Sequence, residues 1–116
     1  MGGGTSPIKI SKVITQCYDN DGGNHNYNGA MEGLDITDYT TLVIGSVTKS
    51  SSVSSMWGNV QVSNDLTNWT VLKTYTNAKS TPDTFDISAY KYLGLQISGV
   101  ITSQYGSVMY RDIEIS

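Results

Sequence analysis

A nine-residue pattern occurs twice in this chain of 116 residues, and it restricts the fold more than any other feature. Leu34-Asp35-Ile36-Thr37-Asp38-Tyr39-Thr40-Thr41-Leu42 is matched, fifty-one positions on, by Phe85-Asp86-Ile87-Ser88-Ala89-Tyr90-Lys91-Tyr92-Leu93. Each copy reads apolar, Asp, Ile, Ser or Thr, any, Tyr, any, any, Leu, and each runs into an apolar strand. The physics of the unit is that of a corner. A short strand ends at Ile, the Ser or Thr hydroxyl opens a turn by bonding its own backbone, and Tyr covers the bend. Leu42 with Ile44, and Leu93 with Leu95 and Ile97, then begin a period-two inward face. Two such corners predict pseudo-equivalent strands in a two-sheet sandwich.

The rest of the chain agrees with that prediction. Ile8, Ile10 and Ile14 alternate with Lys9, Ser11 and Thr15, a first strand that reaches Cys17 or Tyr18. Lys12 falls on the apolar side of this count, which predicts a bulge there. Residues 18–29, rich in Asn, Asp and Gly, read as a loop. Further strands are predicted over 30–36, 41–49, 57–63, 69–76, 92–100 and 108–115, with a flexible serine turn over 50–55. Val60 and Val62 face inward, while Trp57, Asn59, Gln61 and Ser63 share the other face. In the last strand Met109, Ile113 and Ile115 line one face with Arg111 in their register. Arg111 there either pairs with Asp35 or Asp86 or is turned outward by a bulge, the simpler reading. No segment has sustained helical periodicity. The prediction is all-β, a single two-sheet β-sandwich of about eight antiparallel strands over 8–116, preceded by a flexible glycine-rich arm over 1–7.

Charge and cysteine usage remove several functions. Charged residues make up 15%, against about 25% in an ordinary domain, and the net charge is -3. The seven basic residues never cluster, so no stripe tracks a nucleic-acid backbone. Cys17 is the single cysteine, which excludes an intrachain disulfide and a thiolate metal site. No apolar run reaches membrane-spanning length, and Met1-Gly2-Gly3-Gly4-Thr5-Ser6-Pro7 has no signal-peptide core. A chain made in the cytoplasm is expected. Gly2, Gly3, Gly4 and Thr5 are expected to contact a neighbouring subunit if they are ordered, which implies a homo-oligomer.

His25 is the only histidine, and the carboxylates sit mainly at turns, so no nucleophile–base set is visible and no enzyme is expected. Asp19 and Asp21 with the following glycines are weakly similar to an oxygen-rich calcium loop, but the closing acidic ligand is missing. An ordinary Asn/Asp/Gly turn is the commoner reading of such a segment. A glycan site would use aromatic faces with amide and carboxylate partners, here Tyr18, Asp19, Asp21, Asn24, His25, Tyr27, Trp57 and Tyr105. Trp57 either serves such a site or packs beneath the serine turn. Asn68-Trp69-Thr70 fits the N-glycosylation sequon, for which chance is the better explanation.

Val60-Gln61-Val62-Ser63-Asn64-Asp65-Leu66-Thr67-Asn68-Trp69 resembles the strand–turn–strand of galactose-binding-like β-sandwiches, the group of discoidin domains and many carbohydrate-binding modules. The second corner looks like that family's entry into the following strand, and 108–115 like its closing strand. The resemblance covers 34–116 and implies an eight-stranded jelly roll, with Trp69 in the core. Leu66 replaces the family's turn glycine, and the disulfide that ties many members' termini cannot form. In style the Ser-, Thr- and Tyr-rich chain also looks like bacteriophage virion proteins. The resulting expectation is a non-enzymatic module of the virion, a capsid decoration, head-fibre or tail protein that docks on other subunits. The alternative is a carbohydrate-binding module for a cell-surface or plant glycan.

Overall fold

The computed structural model describes residues 6–18, 25–101 and 105–116, with side chains for 6–14, 31–101 and 106–116. Eight strands run in the order β1 (Ile8–Tyr18), β2 (His25–Asp35), β3 (Thr41–Lys49), β4 (Val53–Ser63), β5 (Trp69–Tyr75), β6 (Asp83–Asp86), β7 (Tyr92–Ile101) and β8 (Tyr105–Ile115). They form two antiparallel sheets, β1-β8-β3-β6 and β2-β7-β4-β5. The pairs β1/β8, β2/β7, β3/β6 and β4/β5 are those of a long hairpin rolled around a core, the jelly roll that the family resemblance implies. Leu42, Ile44, Val60, Val62, Leu93, Leu95, Ile113 and Ile115 fill the space between the sheets.

The doubled pattern forms two interlocked corners. The first carries the chain from β2 to β3 and the second from β6 to β7, so they cross between the sheets in opposite directions. Each incoming strand pairs with the other corner's outgoing strand: Leu34 opposes Leu93, and Phe85 opposes Leu42. The Ile36 amide donates to the Lys91 carbonyl at 2.8 Å, and the Ile87 amide donates to the Thr40 carbonyl at 2.9 Å. Ile36 and Ile87 are fully buried, each worth roughly 1.5–3 kcal/mol in apolar burial.

The turn is made by the carboxylate rather than by the hydroxyl, a correction to the sequence reading. Asp35 Oδ1 accepts the Thr37 amide at 2.9 Å and its hydroxyl at 2.6 Å, and Asp86 Oδ1 accepts the same two groups of Ser88 at the same distances. Aspartate is favoured here because its side chain mimics a backbone carbonyl two residues back. The Tyr39 and Tyr90 amides close the turns by donating to the Ile36 and Ile87 carbonyls, and both side chains pack partly buried against the core.

Three adjacent strands break their alternation at one level. Ser11 and Lys12 in β1, and Arg111 and Asp112 in β8, are consecutive exposed pairs, and in β3 Leu42 and Ile44 are inward before Gly45 but Val47 after it. Lys12, Arg111 and Ser46 lie in one row, and the pairing register is the same on both sides of the break. No extra residue is inserted, so this is a shared pleat fault rather than the bulge predicted at Lys12. Asp112 takes a left-handed backbone, φ 54°. Arg111 therefore faces solvent, as the simpler reading had it. The fault also corrects the β8 face: Val108 and Tyr110 are inward, and Met109 is not among the buried core residues.

Three strands start earlier than expected, among them β8, which begins at Tyr105 rather than at 108. β2 begins at His25, so 25–29 belong to a strand although their residues favour turns, because each pairs with 97–101 of β7. β4 begins at Val53, since Val53 and Met56 reach the core and shorten the serine turn. Residues 2–5 of the arm and Asp19, Asp21 and Asn24 lie outside the described residues.

Candidate functional site

The face of β2-β7-β4-β5 turned away from the core carries Trp57, the exposed aromatic side chain among the described residues, with a row of amides beside it. In β4, burial of Val60 and Val62 sends Trp57, Asn59, Gln61 and Ser63 to the other side, as their spacing predicts. Register sets the rows. Trp57 pairs with Ser98, Asn59 with Gln96 and Thr74, Gln61 with Gly94 and Val71, and Ser63 with Tyr92 and Trp69. The two tryptophans thus stand six residues apart along β4, about 20 Å.

Trp57 is 41% exposed, far above the usual burial of a tryptophan. It does not pack beneath the serine turn. Beside it, Thr74 donates its hydroxyl to Asn59 Oδ1 at 2.7 Å, and Gln96 Nε2 donates to Glu32 Oε1 at 2.9 Å. β4 and β7, the central strands, carry no charged residue.

Trp69 corrects the sequence reading. It is half-buried on the outer face, not in the core, with its ring edge over Gly94. A Cβ on Gly94 would stand 3.1 Å from that ring and 3.2 Å from Gln61 Cγ. The ring takes the room that a missing side chain leaves. Next to it the β4–β5 turn is fixed by Asp65, whose Oδ1 accepts the Thr67 and Asn68 amides at 2.9 and 2.8 Å. Those bonds, the Asn68 amide first, hold its carboxyl far below the usual carboxylate range. Leu66 takes the left-handed conformation, φ 65°, that a turn glycine would accept without strain. Ser63 completes the turn: its Oγ accepts the Leu66 amide at 3.0 Å.

Of the sequence-predicted ligand residues, Trp57 alone has a described side chain. The backbone pairs Tyr18 with Tyr105, His25 with Ile101, and Tyr27 with Gly99. Their side chains, with Asp19, Asp21 and Asn24, lie outside the described residues, and the calcium reading of Asp19 and Asp21 falls there too. Among the described residues no cluster of three His, Cys, Asp or Glu side chains could hold a metal. A second polar cluster joins Tyr75, Asp83 and Lys79: Tyr75 Oη donates to Asp83 Oδ2 at 2.5 Å, and Lys79 Nζ lies 3.0 Å from Asp83 Oδ1. Burial first, then Asp83, pushes the Tyr75 phenol up, so it remains a neutral donor that ties β5 to β6. Sequence reading placed Asn59 and Gln61 beside Trp57 but missed Gln96, Glu32 and Trp69, which join the face only through strand pairing.

The fold and the face together define an eight-stranded jelly-roll sandwich with an aromatic and amide surface on one sheet. Its fold is similar to a solved structure described as "CBM4 structure and function", at 13% identity and a TM-score of 0.47, over 91% of this chain and 95% of that one. It is also similar to the enzymatically active domain of tailspike protein 4 of bacteriophage CBA120, at 10% identity and a TM-score of 0.44, where 96% of this chain matches 19% of that one. A third similarity, to the structure of infectious bursal disease virus Gt strain, has 10% identity and a TM-score of 0.32, over 95% of this chain and 35% of that one. No family model and no curated protein matches the chain. Likeness at these scores says nothing of what the chain binds, and the jelly roll rests on its own strand order.

Proposed function

We propose that the chain is a non-catalytic binding module whose outer β2-β7-β4-β5 face takes an uncharged glycan. The observation that carries this reading is Trp57, an exposed indole in a row of amides on strands that lack charge. An indole face packs on the C–H groups of a sugar ring, and carboxamides match sugar hydroxyls as paired donors and acceptors. The site differs from the loop-centred one that the sequence suggested. The test is retention on a glycan array: wild type is retained on neutral glycans and Trp57→Ala is not, while the variant's melting temperature is unchanged. Equal retention of Trp57→Ala would refute the reading.

A second reading, subunit docking in a virion as a capsid decoration, head-fibre or tail protein, has one observation in its favour. The exposed large apolar side chains Trp57, Val71 and Leu66 belong to β4, β5 and the turn between them, where a docked subunit would cover them. Light scattering tests it. A defined oligomer that Val71→Lys dissociates supports docking, and a monomer at high concentration opposes it.

A further inference from the structure

Among the described residues two polar side chains are buried, Gln61 and Ser63; Ser63 is bonded within its turn, and Gln61 is not. It is 6% exposed, yet among the described residues its carboxamide has no hydrogen-bond partner. Buried polar side chains in folded proteins are nearly always bonded, so such a group calls for an explanation. Its surroundings supply one. Nε2 lies 3.3 Å from the place a Cβ on Gly94 would fill, and the Trp69 ring closes the same spot from β5, an edge strand. Floor, wall and polar group make a dent in the sheet, filled in this conformation by an aromatic ring.

We propose that Gln61 is the specificity-determining group of a sugar subsite at this dent, and that Trp69 is its movable wall. The inference rests on the glycan reading of the face and names what that reading leaves open. When the ring swings off Gly94, Oε1 can accept from one hydroxyl of a vicinal diol and Nε2 can donate to its neighbour. The displaced indole then packs on the apolar face of the same pyranose. Specificity follows because a buried amide rejects a ring that cannot bond it more strongly than an apolar wall does. The ligand class is neutral, since β4 and β7 offer no cation to a uronic or sialic acid. The span between the Trp57 and Trp69 rows, about 20 Å, suits an oligosaccharide rather than a single sugar.

Calorimetry and tryptophan fluorescence test this with neutral tetrasaccharides of glucose, xylose and mannose. In Trp57→Phe, Trp69 is the only indole, and its emission is expected to shift saturably with the sugar that binds. Gln61→Leu is expected to lose at least tenfold in affinity while its melting temperature holds or rises, because an unbonded amide is removed. A purely structural Gln61 would give the reverse, a lower melting temperature with affinity intact, and that result overturns the subsite. Binding that is lost in Trp57→Ala but unaltered in Gln61→Leu, with a silent Trp69, refutes the subsite and leaves the face reading standing. If wild type binds none of the three sugars, both readings fall.

Discussion

Gly45 lies directly against Asp112: a Cβ on Gly45 would come within 2.6 Å of Asp112 Cβ and 2.9 Å of its carbonyl oxygen. The contact marks the level at which β1, β8 and β3 all break alternation. The left-handed backbone of Asp112 pushes it toward β3, and only a residue without a side chain can stand opposite. Gly45→Ala is therefore expected to destabilise the protein by about 1–3 kcal/mol through overpacking. Asp112→Gly, which relieves the backbone, should change stability by less than about 1 kcal/mol. Urea unfolding with an unchanged m-value reads both, and a neutral Gly45→Ala would show that the strands can part.

Acid stability should follow the turn aspartates. In Asp35 the Thr37 hydroxyl, and in Asp86 the Ser88 hydroxyl, is the main cause of a carboxyl held below its ordinary value of 3.8, and turn amides do the same for Asp65. A folded value below the unfolded one stabilises fully above the unfolded value and loses that contribution as pH falls through the folded one. Stability is thus expected to decline from about pH 4 downward. Asp65→Asn should flatten that decline; unfolding midpoints from pH 7 to 2 that coincide in shape for both proteins would rule the assignment out.

Leu66 pays for its left-handed backbone, about 1 kcal/mol or more for an L-residue. Asn tolerates that region, so Leu66→Asn is expected to raise stability by up to about 1 kcal/mol. The opposing term is contact with β2, where Leu66 Cδ2 lies 3.3 Å from the Cβ position of Gly33. A lower melting temperature would mean that this contact outweighs the strain.

Tyr110 crosses the core from β8 and donates its hydroxyl to the Gln96 carbonyl of the opposite sheet at 2.8 Å. Burial pushes this phenol up, so it stays a neutral donor through the physiological range. Tyr110→Phe should cost about 1–2 kcal/mol by leaving a buried carbonyl without that bond. Loss of the bond should also loosen β7 beneath the binding face, seen as faster amide exchange at Gln96 and its neighbours.

The fold was legible because its strongest signals are local. Asp35, Ile36 and Tyr39, with their counterparts Asp86, Ile87 and Tyr90, encode a bend in nine residues, and period-two spacing sets which side of β4 and β7 meets the core. Register is not local. Whether Met109 or Tyr110 faces inward turned on a fault shared by three strands, and nothing in β8 alone separates the two. The same holds for 25–29, where pairing with β7 prevailed over turn-forming residues.

What the sequence by itself determined is the two-sheet sandwich: two corners, about eight strands, a Val60 and Val62 inward face, and an outward row that begins at Trp57. Only the tertiary structure decided where Trp69 lies and what surrounds Gln61. Strand pairing brought Gly94 opposite Gln61 and left a gap, and the indole of the edge strand filled it from outside rather than from the core. A side chain's sidedness can be read from its own strand, whereas its neighbours depend on which strand lies alongside.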